Sequence, residues 1–159
     1  MLIIGIDPGT AITGFSVVKK TKDRKFTAVE YGCILTQPGK SAGERLKKIA
    51  DSLNKLIKKH KPDLMAIENI YFFKNFKTAM PVSQARGVAL LIAAQKKIPV
   101  CEITPLQMKM AIVGYGRADK KQVQKMVEKI LELEKPIKSD DAADALGIAI
   151  CGGLKTVLK

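Results

Sequence analysis

The sequence predicts a single α/β domain over residues 1–159, built on a sheet that is partly antiparallel. Three observations predict it. Short apolar runs of strand length open the chain before any helical pattern begins. Apolar spacing then turns helical from Ser41 onward, and helix and strand patterns alternate to the last helix. No repeat or linker divides the chain, and its 159 residues suit one compact domain.

Each element has a local reason. Leu2 to Ile6 reads as a buried strand that closes on the tight turn Asp7-Pro8-Gly9-Thr10. Thr13 to Val18 and Phe26 to Leu35 read as two more strands, joined by the polar stretch Lys19 to Lys25. Leu46, Ile49, Leu53, Leu56 and Ile57 mark the inner face of a helix that Pro62 ends. Leu64 to Ile67 is a short buried strand finishing at Glu68. Ala79 to Ala94, rich in small and aliphatic residues, predicts a helix packed on more than one side. Val100 to Ile103 predicts a strand, and Thr104-Pro105 an N-cap followed by proline in the first helical position. Asp119 caps the next helix, with Gln122 in capping-box position and Val123, Met126, Val127 and Ile130 facing inward. After Pro136 a final helix runs from about Ser139 towards Leu154.

Composition narrows the function. Hydrophobic residues at 47% and charged residues at 27% suit a soluble globular chain. The 28 Lys and Arg against 15 Asp and Glu leave a net charge of +13, which draws polyanions, nucleic acid foremost. Cys33, Cys101 and Cys151 are far apart and odd in number, so neither disulfides nor a zinc knuckle is expected, and each should be a buried thiol. The one histidine, His60, sits among lysines at a helix end, where its charge would suit the helix dipole. No basic segment precedes the short apolar start, and no run reaches about 18 apolar residues, so a cytoplasmic protein free of membrane is expected.

Two groups of acids depart from the surface pattern. Asp7 and Glu68 each follow a buried-strand run, LIIGID and LMAIE, placing both near strand carboxyl ends, where open α/β sheets form ligand sites. Two carboxylates there would raise each other's pKa unless a cation lay between them. In Asp140-Asp141-Ala142-Ala143-Asp144, residues 141 and 144 share a helix face, and the alanines allow close approach to the sheet. Favouring the helix N-terminus explains Asp140 and Asp141 but not Asp144, which opens the apolar ALGIAI. Gathered together, the four acids would make an all-oxygen site for hard divalent cations, Mg²⁺ or Mn²⁺. A pair of such ions about 3.5–4 Å apart can hydrolyse phosphodiesters. Glu102, in VCEIT, is expected to be a half-buried strand residue with no acidic neighbours.

The motifs IGIDPGTAITGFSVV, AIENIYFFKN, SQARGVALLIAA, ITPLQMKMAIVGYGRADKKQVQKMV and DDAADALGIAI resemble, in the same order, the bacterial RuvC crossover junction endonucleases. The resemblance spans about residues 2 to 152. It implies a ribonuclease H-like fold, a five-stranded mixed sheet flanked by helices, in a homodimer that nicks Holliday junctions symmetrically. It implies Asp7, Glu68, Asp141 and Asp144 as metal ligands holding two Mg²⁺, with Mn²⁺ as a substitute. Asp140 lies just outside the pattern, so a shifted ligand assignment stays open. The position of Asp141 is histidine in some relatives. Lys109 and Lys120 match lysines near the active site that hold the scissile phosphate. Tyr71 matches an aromatic that stacks on unpaired bases; Phe72 and Phe73 follow it, and which ring stacks is open. Lys74, Arg86, Arg117 and Lys121 join Tyr71, Phe72, Lys109 and Lys120 as the expected DNA contacts. Gly114-Tyr115-Gly116 is expected as a loop close to DNA. The segment from Ser83 to Gly87 could begin a helix at the dimer interface, though internal packing explains its small residues equally well. Branch-migration motor proteins are implied as partners.

Three other classes compete. Actin-like phosphotransferases share the Asp-x-Gly-Thr turn but need two lobes and a second phosphate loop. A junction-binding protein that does not cut would have no use for four grouped acids. A ribonuclease H-like enzyme processing ribosomal RNA would differ only in substrate.

Overall fold

The computed structural model describes residues 1–69 and 76–156. Its five strands, β1 (Leu2–Asp7), β2 (Ile12–Lys20), β3 (Phe26–Leu35), β4 (Leu64–Glu68) and β5 (Val100–Ile103), form one sheet in the order β3-β2-β1-β4-β5. The β1/β2 and β2/β3 pairs are antiparallel, and β1/β4 and β4/β5 are parallel. The mixed sheet follows from chain order: short connections join the first three strands, whereas helices separate the last two. Helices α1 (Ala42–His60), α2 (Phe76–Gln95), α3 (Pro105–Val113), α4 (Lys120–Ile130) and α5 (Asp140–Lys155) complete the domain. Among the described residues no helix is long and apolar enough to cross a membrane.

The two faces of the sheet bury different material. Ile4, Ile6, Val17, Met65 and Ile67 meet Ile49, Leu53, Leu56 and Ile57 of α1 and Ala85, Ala89, Ile92 and Ala93 of α2. On the opposite face Ile3, Val18, Ala66 and Ile103 pack with α5, outside which lie Met108 and Ile112 of α3 and Val123 and Val127 of α4. Alternation of side chains along each strand produces this sorting.

Capping sets the helix starts. Thr104 accepts from the Gln107 amide at 3.1 Å, and Asp119 from the Gln122 amide at 2.8 Å, both within complete capping boxes. Ser41 and Glu44 form a third box that opens α1. His60 ends α1 as expected, and its Nε2 also lies 2.6 Å from the Glu30 carboxylate, tying the helix end to β3.

Three local expectations need correction. Only Cys151 is buried; Cys33 and Cys101 are half-buried, because β3 and β5 are the two edges of the sheet. Glu102, on edge strand β5, is exposed rather than half-buried, with 46% of its side chain accessible, and pairs with Arg86.

Candidate active site

Strand direction brings the acids together. Because β1 and β4 are parallel neighbours with Ile6 beside Ile67, Asp7 and Glu68 end adjacent strands at the same edge. Both side chains continue the series of Ile3 and Ala66, so they share the face that α5 covers. The turn after Asp7 is held by Thr13, whose Oγ1 donates to the Gly9 carbonyl at 2.6 Å. Thr36 Oγ1 donates to the Thr10 carbonyl at 2.5 Å and in turn accepts from Arg45 Nε at 2.8 Å, so α1 braces the same turn.

The second pair of acids arrives on α5, and missing side chains allow it. A Cβ on Gly14 would lie 2.1 Å from the Asp141 carbonyl oxygen, and one on Gly5 would lie 2.2 Å from that of Ala145. Real Cβ atoms do not come so close, so only glycine at both sites lets α5 sit this near the strands. Ser16 Oγ donates to the Ala145 carbonyl at 2.8 Å from a fully buried position and fixes the helix along its axis. Ala142, Ala143 and Ala145 are all buried, as their predicted close approach requires. Asp141 and Asp144 are thereby presented to Asp7.

The electrostatics record the crowding. Burial first, then the charges of Glu68, Asp144 and Asp141, push the Asp7 carboxyl up to about 8. Burial and then Asp144 raise Glu68, opposed by its hydrogen bond from Asp7 and by the Lys120 ammonium. With its carboxyl pushed to about 8, Asp7 holds a proton at neutral pH and directs it to Glu68. Burial also raises Asp144, with the charges of Asp140 and Asp141 adding to it, against the pull of Lys120 and Lys109. Lys120 Nζ stands 3.8 Å from Asp144 Oδ2 and 4.0 Å from Asp140 Oδ2. The Asp140 side chain is 67% accessible against 27% for Asp144, and Asp140 is not among the charges that raise Asp7.

The donor set is all oxygen, as hard divalent cations require. Asp7 and Glu68 are in hydrogen-bond contact, with Asp141 and Asp144 facing them from α5. Among the described residues no three metal-binding side chains are close enough to enclose one ion. Repulsion between carboxylates opposes tighter approach, and the proton on Asp7 relieves part of the negative charge that a cation would neutralise. On the chemistry of the donors, the four acids fit a divalent ion.

The remaining expected residues divide. Lys109 on α3 and Lys120 at the start of α4 are both within electrostatic reach of Asp144. Arg117 and Lys121 are exposed beside them. Gly114 is the left-handed cap of α3 and Tyr115 is 55% accessible. Arg86 sits on α2, with its guanidinium paired to Glu102 and its Nε donating to the Glu68 carbonyl at 3.3 Å. Tyr71, Phe72, Phe73 and Lys74 lie outside the described residues. Sequence reasoning missed Gly5, Gly14, Ser16 and Thr36. A glycine inside a strand pattern, as at Gly5 and Gly14, is the one signal that could have pointed to close backbone approach.

A five-stranded mixed sheet flanked by helices, with acids gathered where β1 and β4 end, defines the ribonuclease H-like fold. Sequence comparison carries this to a family. The profile of the crossover junction endodeoxyribonuclease RuvC matches residues 3–152, and the chain belongs to the RuvC family. It is 53% identical to the RuvC of Pelotomaculum thermopropionicum over 151 residues, 95% of this chain and 92% of the relative. To the RuvC of Fusobacterium nucleatum it is 51% identical over 150 residues, 94% of this chain and 78% of the relative. The solved structure of T. thermophilus RuvC in complex with a Holliday junction substrate superimposes with a TM-score of 0.94 at 30% identity, covering 99% of this chain and 96% of that one.

Proposed function

We propose that this protein is a structure-specific endonuclease that resolves Holliday junctions in recombination and repair. It hydrolyses DNA phosphodiesters by symmetric nicking and leaves 5′-phosphate ends. Membership of the RuvC family supports the reaction, and one observation in this molecule carries it. That observation is the convergence of Asp7 and Glu68 with Asp141 and Asp144, where burial and then the charges of the other three acids push Asp7 to about 8.

Asp7, Glu68, Asp141 and Asp144 would hold two Mg²⁺, or Mn²⁺ in their place. The Asp141 charge acts on Asp7 and the Asp140 charge, though it reaches Asp144, does not, which supports Asp141 as the fourth ligand. Bound ions would supply activation of water and neutralisation of charge on the leaving oxygen. The chain's own residues prepare for this. Asp7 must release its proton to serve as a ligand, so loading is favoured as pH rises. Lys120, already 3.8 Å from Asp144, and Lys109 are positioned to exchange that carboxylate for the scissile phosphate. Arg117 and Lys121 extend the same basic surface along the DNA, where Tyr71, Phe72 and Lys74 are proposed as further contacts.

Two matched nicks need two sites, and the proposed homodimer supplies them. Met80 and Leu91 of α2, 70% and 58% accessible, offer apolar surface for it. Branch-migration motors are proposed partners on family grounds, and a cytoplasmic location fits a DNA substrate.

The test is incubation of a synthetic four-way junction with protein and Mg²⁺. Paired nicks at symmetric positions are expected, and none with Asp7→Asn. Equal cutting by that variant would reject the site, and preferential cutting of RNA hairpins in competition would reject the substrate.

A further inference from the structure

We infer that Arg86, clamped by Glu102, is a positioning residue that sets the main chain of Glu68 from behind the sheet. The inference rests on the proposed ion-binding role of Glu68 and assigns to Arg86 a task other than DNA contact. Three observations combine. Glu68 is the last residue of β4, where the strand's own pairing runs out. The peptide group that follows it is nonetheless held at both ends. Its N–H, on Asn69, donates to the Ile103 carbonyl at 2.8 Å, and its carbonyl, on Glu68, accepts from Arg86 Nε at 3.3 Å. The far end of the same guanidinium is paired with the Glu102 carboxylate on β5.

Sidedness decides what this clamp can do. Ala85 and Ala89, flanking Arg86 on α2, pack with Met65 and Ile67 on the face opposite α5. The Glu68 side chain follows Ala66 onto the α5 face, towards Asp7 and Asp144. Arg86 therefore reaches the strand end from the layer that does not carry the acids, and only 21% of its side chain is accessible. From there it acts on the backbone that aims Glu68. The planar fork suits this double task, since Nε and a terminal nitrogen engage two acceptors at once. A lysine ammonium on a flexible stem cannot span both in fixed geometry. Glu102 in turn keeps the fork from rotating off the carbonyl, so its pairing with Arg86 at an exposed sheet edge has a role beyond surface charge.

The same logic governs residues that orient a metal ligand without touching the ion, whose loss typically costs about 10–100-fold in affinity or activity. The experiment compares wild type, Arg86→Gln, Arg86→Lys, Glu102→Gln and the double variant Arg86→Gln/Glu102→Gln. Mn²⁺ binding is measured by calorimetry on the DNA-free protein, and junction affinity by gel shift in EDTA.

Arg86→Gln and Arg86→Lys are both expected to weaken Mn²⁺ binding by about 10-fold or more, while junction affinity changes less than about 2-fold. Glu102→Gln should move the same way by less. The double variant should be no worse than Arg86→Gln alone, as expected of residues acting through one contact. Mn²⁺ affinity unchanged in Arg86→Gln would overturn the inference. So would full recovery of Mn²⁺ binding in Arg86→Lys, or a loss confined to junction affinity, since a bare positive charge would then suffice. Arg86→Lys retains the charge, so it reports even if Arg86→Gln unfolds. Failure of wild type to bind Mn²⁺ or cut the junction would instead remove the functional reading itself.

Discussion

The two faces of the sheet solve the same packing problem in opposite ways. Towards α1 and α2 the strands meet large aliphatic side chains, with Ile49 and Leu53 fully buried and lysines outside. Towards α5 they meet alanine and glycine, and backbone comes close to backbone at Gly5 and Gly14. The first arrangement buries apolar area, which is non-directional and tolerates modest shifts. The second gives up side-chain volume for a short, defined separation, and that separation delivers Asp141 and Asp144 to Asp7 and Glu68. Both faces bury apolar side chains and supply stability; the α5 face also supplies placement.

Breaking the placement face should have the largest consequence. Asp7→Asn is expected to lower junction nicking more than about 100-fold, beyond the range for residues that merely orient a ligand. It should also stabilise the metal-free protein, with a definite pH dependence. The Asp7 carboxyl titrates near 8 when folded and near the ordinary 3.8 when unfolded. Between these values the folded chain holds a proton that the unfolded chain lacks, so wild-type stability falls as pH rises, by at most about 1.4 kcal/mol per pH unit. The melting temperature of Asp7→Asn should therefore gain on wild type steadily from about pH 4 to pH 8 and no further above it. A gap that does not widen would show that Asp7 is not the strained member of the pair.

Gly14→Ala tests the close approach directly. Its methyl would collide with the Asp141 backbone, which cannot yield as a side-chain tip can. A loss of about 3 kcal/mol or more is expected in denaturant unfolding, at the upper end for overpacking, together with weakened Mn²⁺ binding in the molecules that remain folded. Leu53→Ala, on the other face, should lose a similar 2–5 kcal/mol by leaving a cavity. Its nicking rate per folded molecule should stay within about 2-fold of wild type, as expected of a change in uniform packing rather than in groups that meet the substrate. Were Leu53→Ala to lose activity as Gly14→Ala does, the division between the faces would fail. Ser41→Ala removes the cap of α1 far from the acids and should cost only about 1 kcal/mol, read as a small drop in melting temperature with nicking unaffected.

Much of the fold was legible because its signals are local. Strand ends at Asp7, Glu68 and Ile103 and helix starts at Pro105 and Lys120 follow from apolar periodicity and capping residues within a few positions. Misreadings arose where an edge mattered. Cys33, Cys101 and Glu102 sit in apolar stretches that would be covered in a central strand, yet β3 and β5 lie at the margins. The acids stood out individually by their apolar flanks. Arg86 did not, since a lone arginine carries no mark of whether it will meet DNA, a carboxylate or a carbonyl.

By itself the sequence determined the order of elements, the helix caps and the two separate pairs of acids, each decided by residues near in the chain. Tertiary structure decided that the pairs meet. Strand order places β1 beside β4, and the absent side chains of Gly5 and Gly14 let α5 descend onto them. The tertiary structure also decided that Asp141 rather than Asp140 acts on Asp7, that Lys120 faces Asp144, and that Arg86 turns to Glu68 and Glu102. The reason is physical: periodicity specifies which way a side chain faces within its own element, whereas pKa shifts and ion pairs depend on distances between elements far apart in the chain.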